Sequence, residues 1–308
     1  MPIKIQHDLP ARSVLEDENV DLIISDDALK QDIRPLRILL LNLMPKKKET
    51  EIQFARLLGN SPLQIELTLM ATASYTPKNT EPGYLRRYYR SLDDIRDEYF
   101  DAILVTGAPV ETLPFEEVNY WPELQEIFTW SEQHCFRRLG ICWGAQALLY
   151  HLYGVEKHQL DKKVFGVYDH VVTENTSRLM KGFTDRFPMP VSRYTANLRD
   201  EILSVSQLDL LAESADSGPG MVRDRQTGDI FIFNHLEYDA ETLAAEYSRD
   251  SESGLGTALP VNYFPADDPA RTPTNFWRPF AFLFMTNWIH DLYQATPFDL
   301  EKLSERHD

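Results

Sequence analysis

The hydrophobic pattern changes character about halfway along the chain. In the first half, unbroken apolar runs alternate with stretches of helical periodicity. "LRILLLNL" (36–43) is continuously apolar, as expected of a strand buried on both faces, and the helical pattern "EIQFARLL" follows it. Thr50 is placed to cap that helix and Gly59 to end it. "LQIELTLM" (63–70) alternates and reads as a second strand, and "YFDAILVTG" (99–107) as a third, stopped by Gly107 and Pro109. "YWPELQEIFTWSEQHCF" has helical spacing, with Cys135 near its end in a half-buried structural position. "RRLGIC" is a fourth strand and "WGAQALLYHLY" its helix, closed by Gly154. This alternation predicts an α/β fold with a doubly wound, mostly parallel sheet and helices on both faces.

In the second half the strands come in succession. "VFGVYDHVV" and "LDLLAESA" read as strands, and "GMVRDRQTGDIFIFNHLEYD" as a hairpin turning near Thr227 and Gly228. A helix follows at "ETLAAEYSRDSE", then the Pro-rich loop "TALPVNYFPADDPARTPTN". No linker divides the pattern, so residues 1–308 read as a single domain, with residues 1–35 an N-terminal extension packed on it. The longest apolar segment, "WRPFAFLFMTNWIHDLYQA", is interrupted by Arg278, Asn287, His290 and Asp291, which predicts a buried C-terminal helix rather than a membrane span.

Composition narrows the classes. A chain of 308 residues with 43% apolar and 26% charged residues can bury a sizeable core. Its formal net charge of −17 argues against nucleic acid as a general partner, because phosphate binding wants clustered Lys and Arg. The N-terminus lacks the apolar core of a signal peptide, and two cysteines in so long a chain fit a reducing cytoplasm. No Cys/His cluster has metal-ligand spacing and no Gly-rich phosphate loop appears.

One cysteine stands out. In "RRLGICWGAQALL", Cys142 lies between Gly140 and Gly144 where a strand passes into a helix. A nucleophile elbow needs small residues at those two offsets, and the helix N-terminus favours thiolate and offers backbone N–H groups to an oxyanion. The plainer alternative is a small buried thiol with incidental glycines. A nucleophile also needs a base. His134, His151 and His158 lie on or beside helices, whereas His235 follows the strand "DIFIFN" and precedes Glu237 by two residues. On extended backbone those two side chains share a face, so Glu237 can orient the imidazole that activates Cys142.

Gly-x-Cys-x-Gly followed by His-x-Glu resembles the class I glutamine amidotransferase architecture, a Cys-His-Glu triad on a flavodoxin-like sheet. A closer resemblance spans nearly the whole chain. "MPIKIQHDLPA", "ILLLNLMPKKKETE", "GAPVE", "GICWGAQA", "FNHLEYD" and "NFWRPFAFLFMTNWI" together resemble the homoserine O-acyltransferase family of the transsuccinylase type. The resemblance implies transfer of an acyl group from coenzyme A, through Cys142, to the hydroxyl of L-homoserine, a step of methionine synthesis. It implies His235 as proton acceptor, Glu237 as its partner, and Lys163, Ser192 and Arg249 as substrate contacts. It also implies a cytoplasmic homodimer with no permanently bound cofactor.

In that family the residue after "GAPV" is associated with the acyl donor: glycine resembles succinyl-transferring members and glutamate acetyl-transferring ones. Glu111 therefore points to acetyl-CoA as co-substrate, with succinyl-CoA the alternative. Lys47, in "PKKKE" after the first strand, is a candidate contact for the donor or the oxyanion, although a solvated loop lysine fits the same sequence. Arg249 suits a carboxylate, but the residues alone favour a solvated helix face beside Glu246 and Asp250. Lys163 with Lys162 could be a surface pair, and Ser192 carries no signal of its own. A Cys hydrolase of the amidotransferase type, and a flavodoxin-like sensor with a redox-active Cys142, are the competing classes.

Overall fold

The computed structural model describes residues 3–6, 8–17, 22–24, 34–74 and 82–307. The first half runs β1 (Ile3–Ile5), α1 (Ala11–Asp17), β2 (Leu22–Ile24), β3 (Leu36–Leu41), α2 (Lys47–Gly59) and β4 (Ile65–Met70). It continues with α3 (Pro82–Tyr88), α4 (Leu92–Ile95), β5 (Phe100–Val105), α5 (Trp121–His134), β6 (Cys135–Ile141) and α6 (Trp143–Tyr153). After it come β7 (His158–Val172), β8 (Arg186–Ala196), α7 (Arg199–Ser204), β9 (Leu208–Ser214), β10 (Gly218–Asp224) and β11 (Ile230–Ile232). Helices α8 (Thr242–Glu252) and α9 (Arg278–Ala295) close the order.

All these strands join one sheet, in the order β2-β1-β4-β3-β5-β6-β11-β10-β9-β7-β8. Strands from β2 through β11 pair in parallel, and those from β11 through β8 antiparallel. The expected mostly parallel, doubly wound half is therefore present, continued by an antiparallel extension. Alternation along β3 shows why its run is unbroken. Leu36, Ile38 and Leu40 enter one core with Phe284, Met285 and Trp288 of α9, while Leu39 and Leu41 enter the other with Leu124 and Phe128 of α5. A strand buried on both faces has no polar face to show.

Three local expectations change. Helix α2 begins at Lys47, and Thr50 lies inside it with its hydroxyl donating back to the Lys46 carbonyl at 3.4 Å. The chain turns directly after β3, so the helix starts before the polar residue that looked like its cap. Cys135 is the first residue of β6, not the tail of a helix, and burial pushes its thiol pKa up. Strand β8 is absent from the sequence reading because Pro188 and Pro190 interrupt its pattern. It is tolerated because β8 ends the sheet order, where a strand has a neighbour on one side only. Among the described residues, no helix is long and apolar enough to cross a membrane.

Candidate active site

The parallel pairing of β6 with β11 builds the centre of the site. Ile141 pairs with Ile232, so Cys142, one residue past β6, and His235, three past β11, emerge at the same end of neighbouring strands. Ligand sites in open α/β sheets lie at these carboxyl ends. Cys142 is the N-cap of α6 and has φ 51° and ψ −119°, a strained conformation for a residue bearing a Cβ. Its backbone N–H donates to the Ile232 carbonyl at 2.7 Å, tying the turn to β11. The flanking glycines are sterically required. A Cβ on Gly140 would lie 2.6 Å from Cα of Ala145, and one on Gly144 would lie 2.5 Å from the carbonyl oxygens of both Val105 and Thr106.

His235 donates its backbone N–H to the Pro190 carbonyl at 2.9 Å, anchoring it to the edge strand β8. Its Nδ1 lies 2.6 Å from Oε1 of Glu237, and the imidazole also hydrogen-bonds the Cys142 side chain. Its ring stacks on Tyr238, with centroids 4.1 Å apart and planes at 17°. Burial alone would lower the pKa of His235, but the charges of Cys142 and Glu237 outweigh it and raise the pKa well above the usual value. Gly107, just past β5, closes the third side. A Cβ there would sit 3.4 Å from Cβ of Cys142 and 3.6 Å from Cε1 of His235. The structure thus brings Cys142, His235 and Glu237 together.

Beside it lies a charged cluster centred on Glu246 of α8. Glu246 accepts hydrogen bonds from the Ser192 hydroxyl and from the Tyr238 hydroxyl, the latter at 2.8 Å, and sits 3.6 Å from Nζ of Lys163. Lys163 is half-buried with its side chain only 7% exposed, bonds Asp250 at 2.8 Å and lies 4.1 Å from the centroid of the Phe165 ring. It is therefore no surface pair with Lys162. Arg249 bonds the other oxygen of Asp250 through Nε at 3.1 Å and a terminal nitrogen at 2.8 Å, and its side chain is 65% exposed, so it stands at the rim. Burial would raise the pKa of Asp250, but its bonds to Lys163 and Arg249 hold it below the usual value. Glu111 faces the same space. Burial raises its pKa, while the Tyr194 backbone N–H and the charges of Lys163 and His235 pull the other way.

Lys47 has, among the described residues, no hydrogen bond or ion pair to this constellation. It is buried, with its ammonium on the Asn42 carbonyl, and Glu51 below it accepts from the hydroxyls of Tyr84 and Tyr89. Burial lowers its pKa to about 8, partly offset by Glu51. It is therefore not a solvated loop lysine. The turn that precedes it still reaches the centre, since Sδ of Met44 lies 3.7 Å from where a Cβ on Gly107 would sit.

Sequence reasoning missed Glu246, Asp250, Tyr238 and Arg193. Glu246 and Asp250 are four apart on α8, a spacing that shares a helix face and could have flagged them. Arg193 is fully buried. It donates to the Asn234 side chain and the Ser217 carbonyl, and Asn234 in turn donates to Nε2 of His170 at 2.8 Å. Nothing local marked that network. Among the described residues, no group of three His, Cys, Asp or Glu is placed to hold a metal ion.

A cysteine on a strand-to-helix turn, facing His-x-Glu from the next parallel strand, defines a class I glutamine amidotransferase-like α/β protein. The fold is similar to that of a glutamine amidotransferase from Methylobacillus flagellatus, with TM-score 0.53 and 14% identity over 87% of this chain and 99% of that one. A family model described as homoserine O-succinyltransferase matches residues 2–298, and the chain belongs to that family, whose members are acyltransferases. It is 48% identical to a homoserine O-acetyltransferase of Ruegeria sp. (strain TM1040), over 98% of this chain and 97% of the relative. It is 47% identical to a homoserine O-acetyltransferase of Hyphomonas neptunium, over 99% of this chain and all of the relative.

Proposed function

We propose that this protein transfers an acetyl group from acetyl-CoA to the hydroxyl of L-homoserine through a thioester on Cys142. The observation that carries the reading is the Cys142–His235–Glu237 chain, with its 2.6 Å bond from imidazole to carboxylate. The Cys142 sulfur attacks the acetyl carbonyl, and the tetrahedral oxyanion faces the N-terminal end of α6. The thioester to coenzyme A breaks, and His235 gives its proton to the departing thiolate. His235 then takes the proton of the homoserine hydroxyl as that oxygen attacks the acyl-enzyme. The ester leaves, the Cys142 sulfur is released, and the protonated His235 is restored. Glu237 keeps the ring oriented and stabilises its charged form.

The charged cluster suits a zwitterionic amino acid. The exposed guanidinium of Arg249, with donors left beyond its bonds to Asp250, matches the α-carboxylate, with Lys163 behind it, and Glu246 retains acceptor capacity for the ammonium beside Ser192. Donor choice is assigned to Glu111. Were the carboxylate of a succinyl tail to meet Glu111 at about 4 Å, repulsion of about 4 kcal/mol at an effective dielectric near 20 would disfavour it roughly 10³-fold. The acetyl group carries no such charge, and the curated relatives named above are acetyltransferases. The reading includes a cytoplasmic homodimer in which each chain is a single acyltransferase domain, with no resident cofactor and the acyl-coenzyme A entering only as the donor.

Intact-mass spectrometry after mixing with acetyl-CoA, then with homoserine, tests the proposal. One acetyl group should appear on the wild type, be absent from Cys142→Ser under matched brief exposure, and leave on addition of homoserine. Discharge by water as fast as by homoserine would instead favour the hydrolase class, and acetylation of Cys142→Ser at the wild-type rate would remove Cys142 from the mechanism.

A further inference from the structure

The loop that carries Glu111 has no ladder of its own to hold it. Residues 109–113 form turns between β5 and α5, with a single closing bond from Leu113 N–H to the Val110 carbonyl at 3.1 Å. The contact that fixes the loop comes from Lys157, in the connection between α6 and β7. Its ammonium donates to the carbonyl of Glu111 and to that of Leu113, each at 2.7 Å. It also lies 4.9 Å from the centroid of the Phe115 ring. Phe115 in turn stacks on Tyr150 of α6 at 4.7 Å and packs 5.7 Å from Trp143, the residue after the nucleophile. The Lys157 segment is itself tethered, because Asn197 at the end of β8 donates to the Glu156 carbonyl at 2.8 Å.

Glu111 is thus gripped at both ends. Lys157 holds its backbone oxygen, and the Tyr194 N–H of β8 holds its carboxylate. An ammonium that satisfies two loop carbonyls ties the backbone at both points, and its bonds are charge-assisted.

We propose that Lys157 is a positioning residue for acyl-donor choice: by pinning the Glu111 and Leu113 carbonyls to the segment that follows the helix of the nucleophile, it sets where the Glu111 carboxylate meets the acyl tail. Lys157 does not touch the donor and acts through Glu111. The inference rests on the reading of Glu111 as the donor-selecting group, and the test separates the two.

Lys157→Met keeps the aliphatic stem and removes the donor, and Lys157→Arg keeps donors for both carbonyls. For each, and for Glu111→Gly, kcat/KM is measured with acetyl-CoA and with succinyl-CoA at saturating homoserine, together with KM for homoserine. Lys157→Met should shift the donor ratio toward succinyl-CoA by about tenfold or more, since misplacing a group by about an ångström has effects of this size. KM for homoserine should stay within about twofold, and Lys157→Arg should restore most of the ratio. A merely structural lysine would lower both donors equally. A ratio unmoved in Lys157→Met while Glu111→Gly shifts it overturns the Lys157 proposal and leaves the Glu111 reading standing. A ratio moved by Lys157→Met but not by Glu111→Gly overturns both, since Lys157 is held to act only through Glu111, and no movement in either likewise removes both. If Lys157→Met fails to fold, Lys157→Gln carries the same comparison.

Discussion

The two sides of the site are built by opposite means. Around Cys142 the geometry is local: the strained φ of 51°, the flanking Gly140 and Gly144, and the start of α6 all fall within a few residues of sequence. The amino-acid side draws Lys163 from β7, Ser192 from β8, and Glu246, Arg249 and Asp250 from α8. A local device tolerates no change of shape, because its neighbours are backbone. An assembled cluster of side chains should instead be tunable, with each member affecting affinity for one substrate. Tyr238 joins the two, stacking on His235 and donating to Glu246.

The strongest challenge to this contrast is Gly144→Ala. The added Cβ would lie 2.5 Å from two backbone carbonyl oxygens that cannot rotate away. Destabilisation of about 3 kcal/mol or more is expected from such overpacking, with loss of both half-reactions. Thermal unfolding and activity measured together decide it, and a variant that stays active with an unchanged Tm would show that the close approach does not constrain the elbow.

On the assembled side, Glu246→Gln should keep the fold and the acetylation of Cys142 but slow discharge by homoserine roughly 10²-fold, the loss of one charge-assisted contact to the substrate. Arg249→Ala should act on the same half-reaction more weakly, since its guanidinium is solvated. Single-turnover measurements of each half-reaction distinguish the cases. Equal slowing of both halves would mean that the cluster supports the triad through Tyr238 rather than binding the acceptor.

The smallest expected effect concerns pH, and the two regions differ in its sign. His170, under the assembled side, is buried and accepts from Asn234, and burial lowers its pKa to about 4. Its neutral form belongs to the folded state, so the stability it contributes is complete above the unfolded pKa near 6.5 and is lost as pH falls toward about 4. His235 is raised instead, so its contribution is complete below the unfolded pKa and is lost as pH rises through its higher folded value. Calorimetry from pH 7 down to pH 4 should show Tm falling by a few degrees, a slope that His170→Gln flattens. A variant with the wild-type slope would assign that titration to other groups.

The elbow and the parallel strands were legible because their determinants are neighbours in sequence. Unbroken apolar runs, helical periodicity and the close approach of Gly140 to Ala145 record demands met within a turn or two of chain. Gly144 answers to Val105 of β5 and Thr106 just after it, yet still stands in sequence beside the cysteine. The His-x-Glu pair was legible for the same reason, as a same-face spacing on extended backbone. Glu246 was not, because a carboxylate on an exposed-looking helix reads as solvated until β7 and β8 bring Lys163 and Ser192 against it. Nor was β8, whose prolines erase the strand pattern and are tolerated only because the strand ends the sheet.

The sequence by itself therefore determined that this is an α/β chain with a nucleophile elbow and a matching acid–base pair, since those depend on short-range sterics and periodicity. Only the tertiary structure decided what stands opposite them. The register of β6 against β11 brings His235 to Cys142, the edge position of β8 admits Pro190 as the anchor for the His235 backbone, and the packing of α8 buries Lys163 between two carboxylates. Each of these joins residues far apart in the chain, and their energies come from burial and charge pairing that exist only once the distant elements have met.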